Sequence, residues 1–391
     1  MITKKRTFIG FTIFLLLFSM IPSLVQADNG NSSPAKQVDL ITRVTSSGEK
    51  VIAVAIEYRK KIDGKALSPS AFAVHAATNG VSSPRTITNI YAHSGPETTT
   101  SPQAGKYVIL ELDPRDANAS TLIWDQANFR NVRADLDYSV VQEEDIHPEH
   151  GNPIPASPEI YKPTREINLV VQHFMKKEIT NPETGLTLPY RFFEPKVEKD
   201  RKYPLVLFLH GAGERGSGND VQLLANKGAV VWAEQTQHPA YVLAPQAPAG
   251  SDWTRADVYA SLLQLLAEVQ AKHPIDPDRI YVNGISLGAF GTWNLIQHRP
   301  NLFAAAISIS GAGDVSGAAA IKHIPLWVFH AEDDDIVPVA GSRNMVEALR
   351  AVGSDVRYTE YPAGTVIPSH ASWAPAYENE ETIRWLFDQR K

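Results

Sequence analysis

The sequence predicts an α/β domain, with a mostly parallel sheet and helices on both faces, preceded by an all-β sandwich. Three observations predict it. Residues 38–141 hold short β-branched and aromatic runs, separated by Gly, Pro, Asn and Ser, with no long helical period. From Thr164 to Lys391, strand-like and helix-like stretches alternate. Between these parts, Pro148, Pro153, Pro155, Pro158 and Pro163 crowd a stretch that can hold neither a helix nor a central strand. The expected order is a leader (1–27), a sandwich (28–146), a proline-rich linker (147–163) and the α/β domain (164–391).

The leader has the pattern of a secretory signal peptide. Lys4, Lys5 and Arg6 precede an apolar run from Phe8 to Ile21, and Val25-Gln26-Ala27 reads as a cleavage site. The run is shorter than the roughly 20 residues a spanning helix needs. Cleavage after Ala27 removes three positive charges, so the net charge of the 391-residue chain changes from −6 to −9. An exported protein, with no membrane contact once the leader is gone, is therefore expected. The absence of cysteine excludes a disulfide framework, a thiolate metal site and a cysteine nucleophile. The acidic balance offers no basic stripe for nucleic acid.

In the first part, Val51–Ile56, Ala71–Val74, Thr86–Tyr91 and Tyr107–Leu110 read as strands, and Asp135–Val141 adds alternation of period two. About 110 residues of such strands suit one immunoglobulin-like sandwich. The linker reads as a stiff extended connector. In the second part, Ile167–Val171 and Leu188–Phe193 read as opening strands. Leu205–Leu209 is apolar throughout, as expected of a strand covered on both faces. Further strands follow at Tyr241–Ala244, Ile280–Val282, Ala304–Ile309, Leu326–Phe329 and Val356–Tyr361. Helices are expected over Val258–Val269, Ala289–Gln297, Ser342–Ala351 and Glu380–Gln389.

The sharpest chemical signal is Gly284-Ile285-Ser286-Leu287-Gly288, between a strand and a helix. A tight strand–turn–helix of this type needs small flanking residues. It raises the serine hydroxyl above the sheet edge and turns the Leu287 amide toward an incipient oxyanion. Serine is a weak nucleophile and needs a base that is itself oriented by an acid. The chain order of this architecture, serine then acid then histidine, points to one of Asp333, Asp334 and Asp335, and to His370. Spacing alone leaves the three aspartates open. The small-residue turn His210–Gly216 can supply a second oxyanion donor, with Ala212 preferred and Gly213 second. His210 reads as a loop brace. Glu214 and Arg215 either touch substrate or form an ion pair that shapes the loop.

These segments, with His330…Asp334…Pro338 and His370-Ala371-Ser372-Trp373, resemble the secreted α/β-hydrolase esterases. More narrowly, they resemble the "predicted peptidase" and polyhydroxybutyrate-depolymerase-like group. The resemblance implies an α/β-hydrolase fold and a serine esterase of catalytic residues Ser286, Asp334 and His370. It selects Asp334, four residues after the strand-end histidine. Ala331 departs from the pattern, which has glycine there. Some members carry an immunoglobulin-like domain first, as in the EstA-type esterases, and residues 38–141 match that arrangement in position and length.

Such acyl transfer requires no cofactor and no metal. His147-Pro148-Glu149-His150 could ligate a metal, but a solvated acidic linker accounts for it equally. Trp253 and Trp373 either line a substrate pocket or pack their loops. The expected partner is a small-molecule or polysaccharide-linked ester, and the oligomeric state is left open. Two rivals stand beside the carboxylesterase: a serine peptidase of the same fold, and an inactive hydrolase scaffold that binds carbohydrate or cell wall.

Overall fold

The structure, a computed structural model, describes residues 33–391. The expected leader and its cleavage site lie outside the described residues. Ala35–Lys391 form one compact unit.

The first eleven strands are β1 (Ala35–Thr45), β2 (Gly48–Ile62), β3 (Phe72–Thr78), β4 (Val81–Pro84), β5 (Ile87–His93), β6 (Gly105–Leu112), β7 (Leu122–Asp125), β8 (Arg130–Arg133), β9 (Leu136–Gln142), β10 (Ser157–Tyr161) and β11 (Arg165–Asn168). They make a five-stranded sheet ordered β11-β1-β2-β6-β5, a four-stranded sheet ordered β10-β9-β3-β4, and a separate β7–β8 hairpin. Strand periodicity sorts the apolar residues of β2. Val54 and Ile56 face the sandwich core with Val108, Leu110, Phe72, Val74 and Val140. Ala53 and Ala55 face a second cluster with Ile41, Tyr91 and Ile109. Cover on both faces is why Val51–Ile56 is apolar without alternation.

Here the expected boundaries shift. The proline-rich stretch is not a free connector: Ser157–Tyr161 pairs antiparallel with β9. Arg165–Asn168 is not an opening strand of the α/β sheet either. It runs parallel to β1 and extends the sandwich. Prolines are confined to edge strands and strand starts, and β10 and β11 are both edges.

The α/β sheet contains β12 (Phe174–Thr180), β13 (Thr187–Phe193), β14 (Tyr203–Leu209), β15 (Tyr241–Pro245), β16 (Ile275–Ile285), β17 (Ala305–Ile309), β18 (Leu326–Ala331) and β19 (Arg357–Tyr361). Their order is β12-β13-β15-β14-β16-β17-β18-β19. The first two strands are antiparallel to their neighbours, and β15 onward is parallel. The helices are α1 (Val221–Leu224), α2 (Val230–Ala233), α3 (Ala256–Lys272), α4 (Leu287–His298), α5 (Ala340–Ala351), α6 (Trp373–Glu378) and α7 (Glu380–Phe387). Leu205, Leu207 and Leu209 pack with α3, α4 and α5 on one face. Val206 and Phe208 pack with α1, α2, α6 and α7 on the other.

Val44 and Leu122 of the sandwich belong to that second cluster, beside Phe208 and Ile285. The join between the two parts is therefore an extension of a core. A polar clasp accompanies it. Arg133 Nη1 lies 2.8 Å from the buried carboxylate of Glu49 and 3.3 Å from Glu166, and its Nε lies 3.6 Å from Asp220.

Candidate active site

The parallel strands end at one sheet edge, and the candidate residues sit on the loops there. Ser286 follows β16 directly and precedes α4. Its φ of +50° and ψ of −120° are a strained conformation for a side-chain-bearing residue. The surroundings enforce it. The Ser286 amide donates to Ile309 O at 2.9 Å. A Cβ added to Gly284 would stand 2.2 Å from Gly288 O, and one on Gly288 would stand 1.9 Å from Leu209 O. Only glycine lets the turn and β14 approach so closely.

His370 Nε2 lies 2.9 Å from Ser286 Oγ, and His370 Nδ1 lies 2.8 Å and 3.0 Å from the two oxygens of Asp334. A carboxylate beside Nδ1 places the ring proton there and leaves Nε2 to accept the serine proton. The ambiguity among the aspartates resolves by partner. Asp333 accepts from the Gly364 amide, and Asp335 accepts from the Ser369 hydroxyl at 2.7 Å. Both therefore hold the loop that carries His370. Ser310 Oγ adds a bond to His370 O at 3.1 Å.

Asp334 has a second histidine that spacing did not reveal. His330 Nε2, fully buried, lies 3.1 Å from Asp334 Oδ2 and 2.9 Å from Val337 O. Facing two acceptors, Nε2 carries a proton. Burial alone would raise the Asp334 carboxyl. The hydrogen bonds from His330, His370 and the Val337 amide outweigh it and hold the group well below the usual carboxylate range. Ala331, where the resembling pattern has glycine, is buried at the end of β18 and packs with Val366 and Ala371.

The Ala212–Glu214 turn is a short 3-10 segment after β14. Among the described residues, the Ala212 and Leu287 amides donate to no protein acceptor. Unused amides beside a serine hydroxyl are what an oxyanion requires. His210 is a brace, as its position suggested: Nδ1 donates to Gly211 O at 2.6 Å and Nε2 accepts from the Ala247 amide at 3.0 Å. Complete burial pushes it down to about 4, so it stays neutral.

The pocket candidates divide. Trp253 is 1% exposed, donates to His210 O at 3.0 Å and packs edge-on against the His210 ring. Of the two places open to it, pocket wall or loop packing, Trp253 takes the second, so it is no pocket residue. Trp373 opens α6 and meets the His370 ring edge-on, with centroids 5.3 Å apart. Glu214 makes no ion pair with Arg215, whose Nε and Nη1 donate to Ala212 O and Ser251 O. Its Oε1 instead accepts from Asn131 of the sandwich at 2.7 Å. Burial pushes the Glu214 carboxyl up to about 7, against the pull of Asn131, the nearby backbone amides and Arg215. A cleft of about 350 Å³ adjoins Ala212 and draws its lining from both parts, including Phe129, Asn131, Arg215 and Gly216. In the linker, Glu149 pairs with Lys61 at 2.8 Å, and no group of metal-ligating side chains occurs among the described residues.

A mostly parallel sheet of this order, an elbow serine hydrogen-bonded to a histidine, and a sandwich in front define an α/β hydrolase with an immunoglobulin-like N-terminal domain. Residues 37–155 match the family described as the esterase Ig-like N-terminal domain, and residues 188–368 match the family described as esterase PHB depolymerase. The crystal structure of a thermostable esterase is 45% identical, with a TM-score of 0.88, covering 91% of this chain and 100% of that one. The chain belongs to this family of esterases with an immunoglobulin-like domain, and it is a hydrolase.

More distant relatives share only part of their length. Poly(3-hydroxyalkanoate) depolymerase C of Paucimonas lemoignei is 32% identical over 121 residues, 28% of each chain. The uncharacterized peptidase YuxL of Bacillus subtilis (strain 168) is 27% identical over 207 residues, 43% of this chain and 31% of that one. This chain thus spans about a third or less of the curated relatives it matches.

Proposed function

We propose that the protein is a secreted serine carboxylesterase acting on short-chain acyl or feruloyl- and acetyl-type esters. The observation that carries this reading is the unbroken hydrogen-bonded series from Ser286 Oγ through His370 to Asp334. In this reading Ser286 Oγ attacks the ester carbonyl carbon while His370 Nε2 takes its proton. The carbonyl π pair moves onto oxygen, and the amides of Leu287 and Ala212 hold that charge. Collapse expels the alcohol, which receives the proton from His370. Water then repeats the sequence on the acyl-enzyme, freeing the acid and restoring Ser286. Asp334 keeps the imidazole in the required tautomer and stabilises the imidazolium.

Secretion rests on the leader pattern at residues 1–27. No helix of the described residues is long and apolar enough to cross a membrane. The test of substrate class is parallel turnover of p-nitrophenyl acetate, a feruloyl ester and a peptidyl anilide by the purified chain. Ester cleavage exceeding anilide cleavage by orders of magnitude supports the carboxylesterase. Preferential anilide cleavage makes it a peptidase instead, and no turnover leaves the inactive scaffold.

A further inference from the structure

The β7–β8 hairpin of the sandwich reaches the turn beside Ser286 with the side chains of Trp124 and Asn131. It is anchored at both ends: Leu122 lies in the core cluster with Phe208 and Ile285, and Arg133 pairs with Glu49. Between these anchors it presses on the Ala212–Glu214 turn. A Cβ added to Gly213 would stand 2.7 Å from Trp124 Cζ3 and 3.0 Å from Asn131 Nδ2. A side chain at this position would have to displace Trp124 or Asn131. Phe129 supports Trp124 from behind the turn of the hairpin, edge-on at 4.8 Å between centroids.

Asn131 also bonds to Glu214, and Glu214 is unusual. It is 5% exposed, one carboxyl oxygen accepts from Asn131, and the buried Oε2 has no hydrogen-bond partner. That oxygen lies 3.1 Å from the place a Gly211 Cβ would occupy, and the same place lies 3.5 Å from Ser286 Cβ. Asn131 is the side chain that bonds this buried carboxyl, which the Gly211 and Glu214 amides also attract, and without it neither carboxyl oxygen has a side-chain partner. Its backbone is the turn that carries Ala212.

We propose that Asn131 is a positioning residue for hydrolysis: by fixing Glu214 it holds the Gly211–Glu214 turn, and with it the Ala212 amide, where the oxyanion forms. The sandwich thereby completes the active site of the neighbouring domain. The inference rests on the esterase reading above. An oxyanion donor displaced by a fraction of an ångström loses its advantage in the transition state while ground-state binding of a small ester is unaffected.

The test uses the full chain and p-nitrophenyl acetate. Asn131→Ala and Asn131→Asp are compared with the parent; the second keeps the shape of the side chain but replaces its N–H donors with a carboxyl oxygen that repels the Glu214 carboxylate. Both are expected to lower kcat about ten-fold or more, with KM changed less than about three-fold. In a Glu214→Ala background, where Asn131 has no acceptor left, Asn131→Ala is expected to change kcat by less than about two-fold, since it acts through that side chain. Parent-like kcat in Asn131→Asp, or the same loss in the Glu214→Ala background, overturns the proposal. Fluorophosphonate labelling of the parent separates the two levels. Failure of the parent to label at Ser286 removes the esterase reading. Normal labelling with unaffected Asn131 variants removes this inference alone.

Discussion

Three consecutive aspartates, Asp333 to Asp335, have three different partners, and the difference is testable residue by residue. Only Asp334 meets the His370 ring; Asp333 and Asp335 secure the loop around it. Asp334→Asn keeps the shape but favours the wrong imidazole tautomer. It is expected to lower kcat by about three to four orders of magnitude. Asp333→Asn and Asp335→Asn are expected to stay within about ten-fold of the parent, because each keeps an oxygen that can accept its loop hydrogen bond and loses only the charge. Steady-state kinetics on one ester decides between them. The resemblance selected Asp334 where spacing did not. His330, on the far side of the same carboxylate, gave no signal of its role because a buried histidine after a strand has the same sequence appearance whether or not it touches an acid.

At the scale of elements, the turn around Ser286 depends on backbone-to-backbone approach. Gly288→Ala places a methyl group against the carbonyl of Leu209, and neither strand nor helix can give way. The variant is expected to lose about 3 kcal/mol or more of stability, or to fail to fold, as read from urea denaturation. This elbow was legible in the sequence because its glycines, its serine and its flanking strand and helix are local. The hairpin was not. Leu122–Asp125 and Arg130–Arg133 are four residues each, and nothing in their pattern says that Trp124 and Asn131 meet Gly213 and Glu214 more than 80 positions away. The proline-rich stretch misled for a related reason. Proline excludes central strands but allows edges, and whether an extended segment finds an edge to join depends on the rest of the fold.

At the scale of the whole molecule, the alternating runs were enough to give the layered α/β domain and the sandwich in front, because both follow from periodicity and burial. What they did not give was the way the two parts share a core and a site. Glu214 shows a consequence for stability. Its folded-state carboxyl is raised to about 7 from an ordinary 4.5, so the folded protein binds the proton more tightly than the unfolded chain. Its contribution therefore declines as pH rises from about 4.5 to about 7. His210 acts in the opposite sense. Lowered to about 4 from 6.5, it costs stability as pH falls through that interval. Replacing the carboxyl isolates the first effect. Glu214→Gln is expected to match the parent near pH 4.5 and to exceed it progressively toward pH 8, by up to about 3 kcal/mol. Denaturant midpoints across that range check it, and a constant difference would contradict it.

The role of Ser286 as nucleophile is decided by reacting the full chain with a fluorophosphonate and locating the adduct by peptide mass spectrometry, with Ser286→Ala in parallel. One adduct is expected, on Ser286, with labelling and ester turnover lost by several orders of magnitude in Ser286→Ala while the fold stays intact by circular dichroism. An adduct on another residue, or ester turnover that survives in Ser286→Ala, would contradict it.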